Sequence, residues 1–204
     1  MSIWEKLHSG ELYQSADEEL LREQERYLDR LYAFNHTRPA EQDRRTAILR
    51  ELLAEFGEGS YIEPPFHANW GGHHLHIGKN VYANFNLTVV DDTHIYVGDY
   101  TKFGPNVVLA AAGHPLWPGL REQGYQFNAP IRIGRGCWLG AGVIVLPCVS
   151  IGDGTVIGAG SVVTRDIPPD SLAVGNPCRV LRALGEHDRK YYFKDRKIDA
   201  ELFQ

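Results

Sequence analysis

From residue 133 onward every sixth position is aliphatic: Ile133, Leu139, Val145, Ile151, Ile157 and Val163. The residues that follow them are Gly134, Gly140, Leu146, Gly152, Gly158 and Thr164. Four positions after each start stand Cys137, Val143, Val149, Thr155, Ser161 and Ile167, mostly small or β-branched. An earlier block keeps the rhythm at Ile77, Ala83, Val89 and Ile95, slips by two residues, and resumes at Val97, Phe103 and Leu109. Such a period suits neither an α-helix nor a simple strand. It marks a parallel β-helix, in which short strands wind into a coil and aliphatic residues stack down the middle. Three such faces make a triangular turn of about eighteen residues, stacked at the strand spacing of roughly 4.8 Å. The glycines fall where the chain bends or stacked backbones approach closely.

The pattern ahead of the coil is helical. Ser15 with Glu18 three residues on forms a capping-box signature, and Leu20, Leu21, Leu28, Leu31 and Tyr32 then recur at helical spacing. A second helix is expected after Pro39, with Ile48, Leu49, Leu52, Leu53 and Phe56 on one face and Gly57 as its stop. The six-residue ladder breaks after Leu109. Residues 115–128, "PLWPGLREQGYQFN", hold two prolines and two glycines and predict a loop thrown out of the coil. Pro168 and Pro169 end the coil, and a polar, aromatic tail follows. The expected organisation is a helical segment over 1–57, the coil over 58–182 and a tail over 183–204. The terminal segments would cover the open ends of the repeat.

With 204 residues, 43% of them hydrophobic, the chain holds enough apolar material for a packed core. A net charge of −5, spread along the chain, argues against a nucleic-acid partner. The apolar runs fall short of the roughly 20 residues of a membrane span, and the N-terminus lacks the pattern of a secretory signal. Cys137, Cys148 and Cys178 fit neither a zinc pattern nor a disulfide framework, and read as small buried residues in a reducing cytoplasm.

Several stretches together are specific: "FNHTRP", "IEPPF", "IGKNVYANFNLTVVDD", "GHP" before the loop, the long repeat ending in "GNPCRV", and "KYYFKD". The chain resembles the galactoside and maltose O-acetyltransferases of the hexapeptide-repeat acyltransferase superfamily over nearly its whole length. The resemblance implies a left-handed coil, although the general rule for parallel crossovers favours the other hand. It implies transfer of an acetyl group from acetyl-CoA to a sugar hydroxyl, without a metal, in a homotrimer whose sites lie between neighbouring coils.

His114, in "GHP", then takes the part of catalytic base, a task suited to an imidazole near neutral pH. Ala141 takes the part of oxyanion donor through its backbone N–H. Asn84 and Asp92 match substrate contacts. Asn69 and Ser15 stand where the family usually carries a serine or aspartate and an acidic residue, and the extra residue in "GGHHLH" falls near them. These departures bear on which sugar is favoured. Ala141, Ala159, Thr164 and Arg165 match contacts to the pantetheine and nucleotide, and Arg179 and Arg182 match basic residues near the phosphates. Trp138 matches a wall of the cleft.

Other readings compete. His67, His73, His74, His76, His94 and His114 are dense between the repeats, and zinc enzymes of the γ-carbonic anhydrase type share the coil. A zinc site would use His74 and His76 with a third ligand from a neighbouring turn. The same coil also serves acetyltransferases for antibiotics, amino sugars or serine. A loop-anchoring His114 in a non-catalytic coil is the remaining alternative.

Overall fold

The computed structural model describes residues 1–203. Three parallel sheets form the walls of a triangular coil, each taking one strand per turn. The first face holds Glu55–Phe56, Leu75–Ile77, Ile95–Val97, Ile131–Ile133 and Ser150–Ile151. The second runs from Tyr61–Ile62 through Tyr82–Ala83, Lys102–Phe103, Trp138–Leu139 and Val156–Ile157 to Ser171–Val174. The third holds Phe66–Ala68, Leu87–Val90, Val108–Ala110, Ile144–Val145 and Val162–Val163.

Register turns the hexapeptide rhythm into columns. Ile77, Val97, Ile133 and Ile151 stack on the first face. Ala83, Phe103, Leu139, Ile157 and Ala173 stack on the second. Val89, Leu109, Val145 and Val163 stack on the third. All of these residues are buried, so the interior is one continuous apolar column. The expected companions Cys137, Val143, Val149, Thr155, Ser161 and Ile167 fill its corners. Thr155 and Ser161 donate their hydroxyls to the carbonyls of Pro168 and Gly158, which removes the cost of burying them.

The rhythm fails at one edge only. From the third face back to the first, Val145 reaches Ile151 in six residues. On earlier turns Ala68 takes nine residues to reach Ile77, Val89 takes eight to reach Val97, and Leu109 takes twenty-four to reach Ile133. The three extra residues around "GGHHLH", the two-residue slip and the excursion loop are therefore stacked insertions along a single edge.

The N-terminal segment differs from expectation in three ways. A first helix, α1 (Ile3–Ser9), opens with a capping box between Ser2 and Glu5. The next helix, α2 (Glu18–Asn35), is capped by Asp17, whose carboxylate accepts from the amides of Glu19 and Leu20. Ser15 instead lies against Gly124, its amide and hydroxyl both directed to that carbonyl. A third helix, α3 (Gln42–Leu52), ends at Leu53, where the backbone becomes extended. Phe56 is thus in the first strand of the coil, paired with Ile77, and not on the helix face. Gly57 does not stop that helix. A Cβ there would lie 2.3 Å from the Gly78 backbone, so the stacking of two turns requires glycine. Leu31 and Phe34 of α2 and Ile48, Leu49 and Leu52 of α3 close the apolar column from the N-terminal end.

At the other end Arg179–Ala183 runs antiparallel to Ser171–Val174. A short helix, Glu186–Lys190, and a hairpin of Tyr191–Phe193 with Arg196–Lys197 follow, mostly exposed. The excursion contains a helix, Pro118–Glu122, and a strand, Tyr125–Asn128. This strand pairs on one side with Ala112–Gly113 and on the other with Tyr13–Gln14. Cys137 and Cys178 are buried as expected, whereas Cys148 is exposed. It occupies a corner in left-handed conformation, φ 66°, one of a series six residues apart with Gly136, Gly142, Gly154 and Gly160, and its side chain turns outward. Among the described residues no helix is long and apolar enough to cross a membrane.

Candidate active site at the interrupted edge

The stacked insertions build a cleft. The lowest, residues 69–74, is pinned by Asp91, whose buried carboxylate accepts from the amides of Trp70 at 2.8 Å and Gly72 at 2.9 Å. Burial pushes the Asp91 carboxyl up to about 6, against the pull of these bonds. The next insertion carries Asp92, also buried. Asn69 Nδ2 donates to its Oδ2 at 2.8 Å and Gln126 Nε2 to its Oδ1 at 3.1 Å. The third insertion carries His114, exposed at the end of Ala112–Gly113.

The ring of His114 is oriented by the loop that surrounds it. Its Nδ1 lies 3.1 Å from the carbonyl of Tyr125. A carbonyl only accepts, so Nδ1 carries a proton, and in the neutral ring the lone pair is then on Nε2. A depression of about 430 Å³ brings His114, Asp92, Asn69, His67 and Gln126 together. A second, of about 210 Å³, continues from Asn69, Asp92 and Gln126 to Ser15, Tyr13 and Trp70. The cleft thus gathers four of the residues singled out from the sequence: His114, Asp92, Asn69 and Ser15.

Asn84, Ala141 and Ala159 are on the next edge, between the second and third faces. Asn84 directly follows Tyr82–Ala83, and its Oδ1 accepts from the amide of Phe85 at 2.8 Å. Ala141 and Ala159 lie one residue further round on higher turns; a Cβ on Gly140 would come within 2.7 Å of Ala159 N. Ala141 is an exposed residue whose carbonyl accepts from Gly160 N at 2.8 Å and whose N–H has no partner among the described residues. Trp138, on the same face, is 56% exposed, a large apolar surface for a monomer to leave in water. Within one chain, a full face of the coil separates this group from His114.

Thr164 and Arg165 are exposed on the cleft's edge, further along the coil. Arg179 is exposed and donates to the neighbouring carbonyl of Cys178 at 2.7 Å. Arg182 is engaged elsewhere: it forks onto Asp188 at 2.6 and 2.7 Å and holds that carboxyl well below the usual range.

The histidines pack on one another. His74 is buried and donates Nδ1–H to the Asp91 carbonyl at 2.7 Å. His76 Nε2 lies 2.9 Å from His94 Nδ1, and His8 of α1 stacks on His94. Among the described residues, no three histidine, cysteine or carboxylate side chains are grouped to hold a metal ion. Sequence reasoning missed Tyr13 and Gln126 in the cleft, and Asn128 buried behind them. Alternation in "YQFN" was the available signal, but it points to a strand and not to the strand's partner.

Comparison with known proteins gives a consistent picture. The maltose acetyltransferase hexapeptide capping motif matches residues 6–57, and six repeats of the bacterial transferase hexapeptide match residues 130–165. The galactoside O-acetyltransferase of Lactococcus lactis is 46% identical over 203 residues, covering 100% of this chain and 98% of that protein. That of Escherichia coli is 43% identical over 202 residues, covering 99% of each. The solved structure of a galactoside acetyltransferase in complex with coenzyme A superimposes with a TM-score of 0.95 at 43% identity, over 98% of this chain and 100% of that one. A hexapeptide-repeat acetyltransferase of Vibrio cholerae complexed with acetyl-CoA gives 0.84 at 32% identity, over 91% and 100%.

Proposed function

Since the chain belongs to the galactoside and maltose O-acetyltransferase family, with its left-handed hexapeptide coil, we propose that it moves the acetyl group of acetyl-CoA onto a sugar hydroxyl, with His114 as general base. The observation that carries this reading is the bond from His114 Nδ1 to the Tyr125 carbonyl. In the neutral ring it fixes the tautomer whose Nε2 lone pair is free, at the mouth of a cleft that also holds the Asp92 carboxylate.

The chemistry follows from these groups. A sugar hydroxyl near neutral pH is a weak nucleophile and needs a base within hydrogen-bond reach as it attacks. His114 Nε2 takes the hydroxyl proton while the oxygen bonds to the thioester carbonyl carbon. The unpaired N–H of Ala141 steadies the oxyanion that develops there. When the C–S bond breaks, the proton on Nε2 passes to the departing thiolate and His114 is restored. Asp92, held by Asn69 and Gln126, accepts from hydroxyls of the sugar that do not react.

His114 and Ala141 sit on different edges of one coil, so one protomer presents only half of this arrangement. A homotrimer supplies the rest, with Asn84, Trp138 and Ala141 of one coil facing the His114 edge of its neighbour. Thr164, Arg165 and Arg179, all exposed, then serve the cosubstrate. Arg182 is less suited because Asp188 already satisfies its fork.

The test is acetyl-CoA-dependent thiol release with a panel of sugars, comparing the native protein with His114→Ala. Loss of a positioned base typically costs about 10²- to 10⁴-fold, so a fall of at least about a hundredfold is expected. Release that survives the substitution removes His114 from the mechanism. Absence of sugar-dependent release alongside intact acetyl-CoA binding directs the search to other acceptors.

A further inference from the structure

We infer that Gln126 is a specificity-determining residue whose side-chain carbonyl reads one particular hydroxyl of the acceptor, and that Tyr13 fixes it for that task. The inference rests on the sugar acetyltransfer proposed above.

The orientation of the Gln126 amide follows from its neighbours. Its terminal nitrogen lies 3.1 Å from Asp92 Oδ1, and it also bonds the hydroxyl of Tyr13. A carboxylate oxygen only accepts, so the atom facing Asp92 is the NH₂ and not the carbonyl. Both amide hydrogens are thereby used, one on Asp92 and one on Tyr13. The carbonyl oxygen, Oε1, has no partner among the described residues.

Gln126 is 7% exposed, so a polar atom left unpaired there calls for an explanation. Among the described residues, the fully sealed side-chain atom without a partner is Asn128 Oδ1. Gln126 Oε1 is not sealed in that way, and the residue lines both parts of the cleft, beside His114 in one and Ser15 in the other. It is a fixed hydrogen-bond acceptor with an open lone pair, close to the proposed base.

Tyr13 acts through Gln126. Its hydroxyl also accepts from Asn128 Nδ2 at 2.9 Å, and the same NH₂ bonds the Leu7 carbonyl of α1 at 2.9 Å. Burial pushes the phenol up to about 12, which keeps it neutral. The pairing of Tyr13–Gln14 with Tyr125–Gln126 delivers this hydroxyl to the cleft. A donor hydroxyl on the acceptor completes the set, since a site built to bond an OH discriminates against an analogue lacking it. One neutral bond, with the cost of leaving Oε1 unpaired, corresponds to roughly tenfold or more in kcat/KM.

The experiment measures kcat and KM for glucose and its monodeoxy analogues with the native protein, Gln126→Met and Tyr13→Phe. Urea unfolding serves as a check that each variant is folded. The native enzyme should discriminate against one deoxy analogue by at least about tenfold. Gln126→Met should bring that ratio to within about threefold of unity, through a higher KM for glucose more than a lower kcat. Tyr13→Phe keeps the carbonyl and loses one anchor, so the same hydroxyl should still be preferred, by a smaller ratio. An unchanged deoxy-sugar ranking in a folded Gln126→Met variant overturns the inference and leaves acetyl transfer intact. If the native protein acetylates none of the sugars, that result overturns both.

Discussion

Acidification from pH 7 to pH 5 should destabilise the fold by about 2 kcal/mol, and the loss should originate where α1 meets the coil. Five imidazoles gather there. His8 stacks on His94 with centroids 4.7 Å apart and meets His74 edge-on at 4.8 Å. His73 lies 5.1 Å from His74, and His76 bonds His94. Burial, with the neighbouring imidazoles behind it, holds His74 down at about 3 and His94 at about 4, against an ordinary 6.5. His8, His73 and His76 are lowered as well, chiefly by burial. The other charged or titratable groups around them are Glu23 and Tyr27 of α2, Glu55, Tyr96, Arg132 and Asp91.

A histidine held below its unfolded value contributes stability that is present above about pH 6.5 and lost as pH falls, because the unfolded chain takes up a proton that the native state refuses. Each such group approaches about 1.4 kcal/mol per pH unit. His74 alone then accounts for about 2 kcal/mol between pH 7 and pH 5, and His94, more open to water, for about 1 kcal/mol. Asp91 works in the opposite direction. Its raised carboxyl protonates in the native state from about pH 6 downward, ahead of the unfolded chain, and offsets about 1 kcal/mol.

Urea unfolding at pH 7, 6 and 5, at one protein concentration, checks the result. Trp4 and Trp70, with rings 6.1 Å apart beside the cluster, report it by fluorescence. His74→Asn removes the most strongly shifted ring and should flatten the pH dependence. A native stability constant within about 0.5 kcal/mol over this range, or a His74→Asn profile parallel to the native one, would refute the reasoning.

Two further outcomes follow from the geometry. Gly140→Ala puts a Cβ within 2.7 Å of the Ala159 backbone; it should destabilise by about 1–3 kcal/mol in urea and weaken acetyl-CoA binding, since both residues lie on the edge assigned to the cosubstrate. Arg179→Ala should weaken acetyl-CoA binding roughly tenfold by calorimetry, whereas Arg182→Ala, whose fork already holds Asp188, should change it less than about twofold.

The coil was legible because its constraint is local and repeated. One inward side chain per face leaves a written period, and Ile133, Leu139, Val145, Ile151, Ile157 and Val163 are buried where the period put them. The helix ends were less legible because competing caps stand two residues apart. Ser15 and Asp17 both suit an N-cap, and pairing of Tyr13–Gln14 with the excursion draws Ser15 away to Gly124. Phe56 fits a helical stripe as well as a strand, and only its registry with Ile77 decides between them. The bond from Gln126 to Tyr13 spans more than a hundred residues, and no local pattern announces it.

What marks the candidate site is the interruption of the period. A uniform hexapeptide ladder offers hydrophobic columns and tight corners, with no room for a cleft. The three-residue excess between Ala68 and Ile77, the two-residue excess between Val89 and Val97 and the excursion after Leu109 look unrelated along the chain. Stacking places them on one edge, where they carry Asn69, Asp92 and His114 in successive turns. The regular faces make each insertion add to the one below it, so three small departures become one cleft. The N-terminal strand then closes it, because the excursion offers Tyr125–Asn128 as an open edge and Tyr13–Gln14 takes it. Acceptor preference should therefore be governed by the residues that break the repeat and by the segment that caps them, and be insensitive to conservative changes in the aliphatic columns.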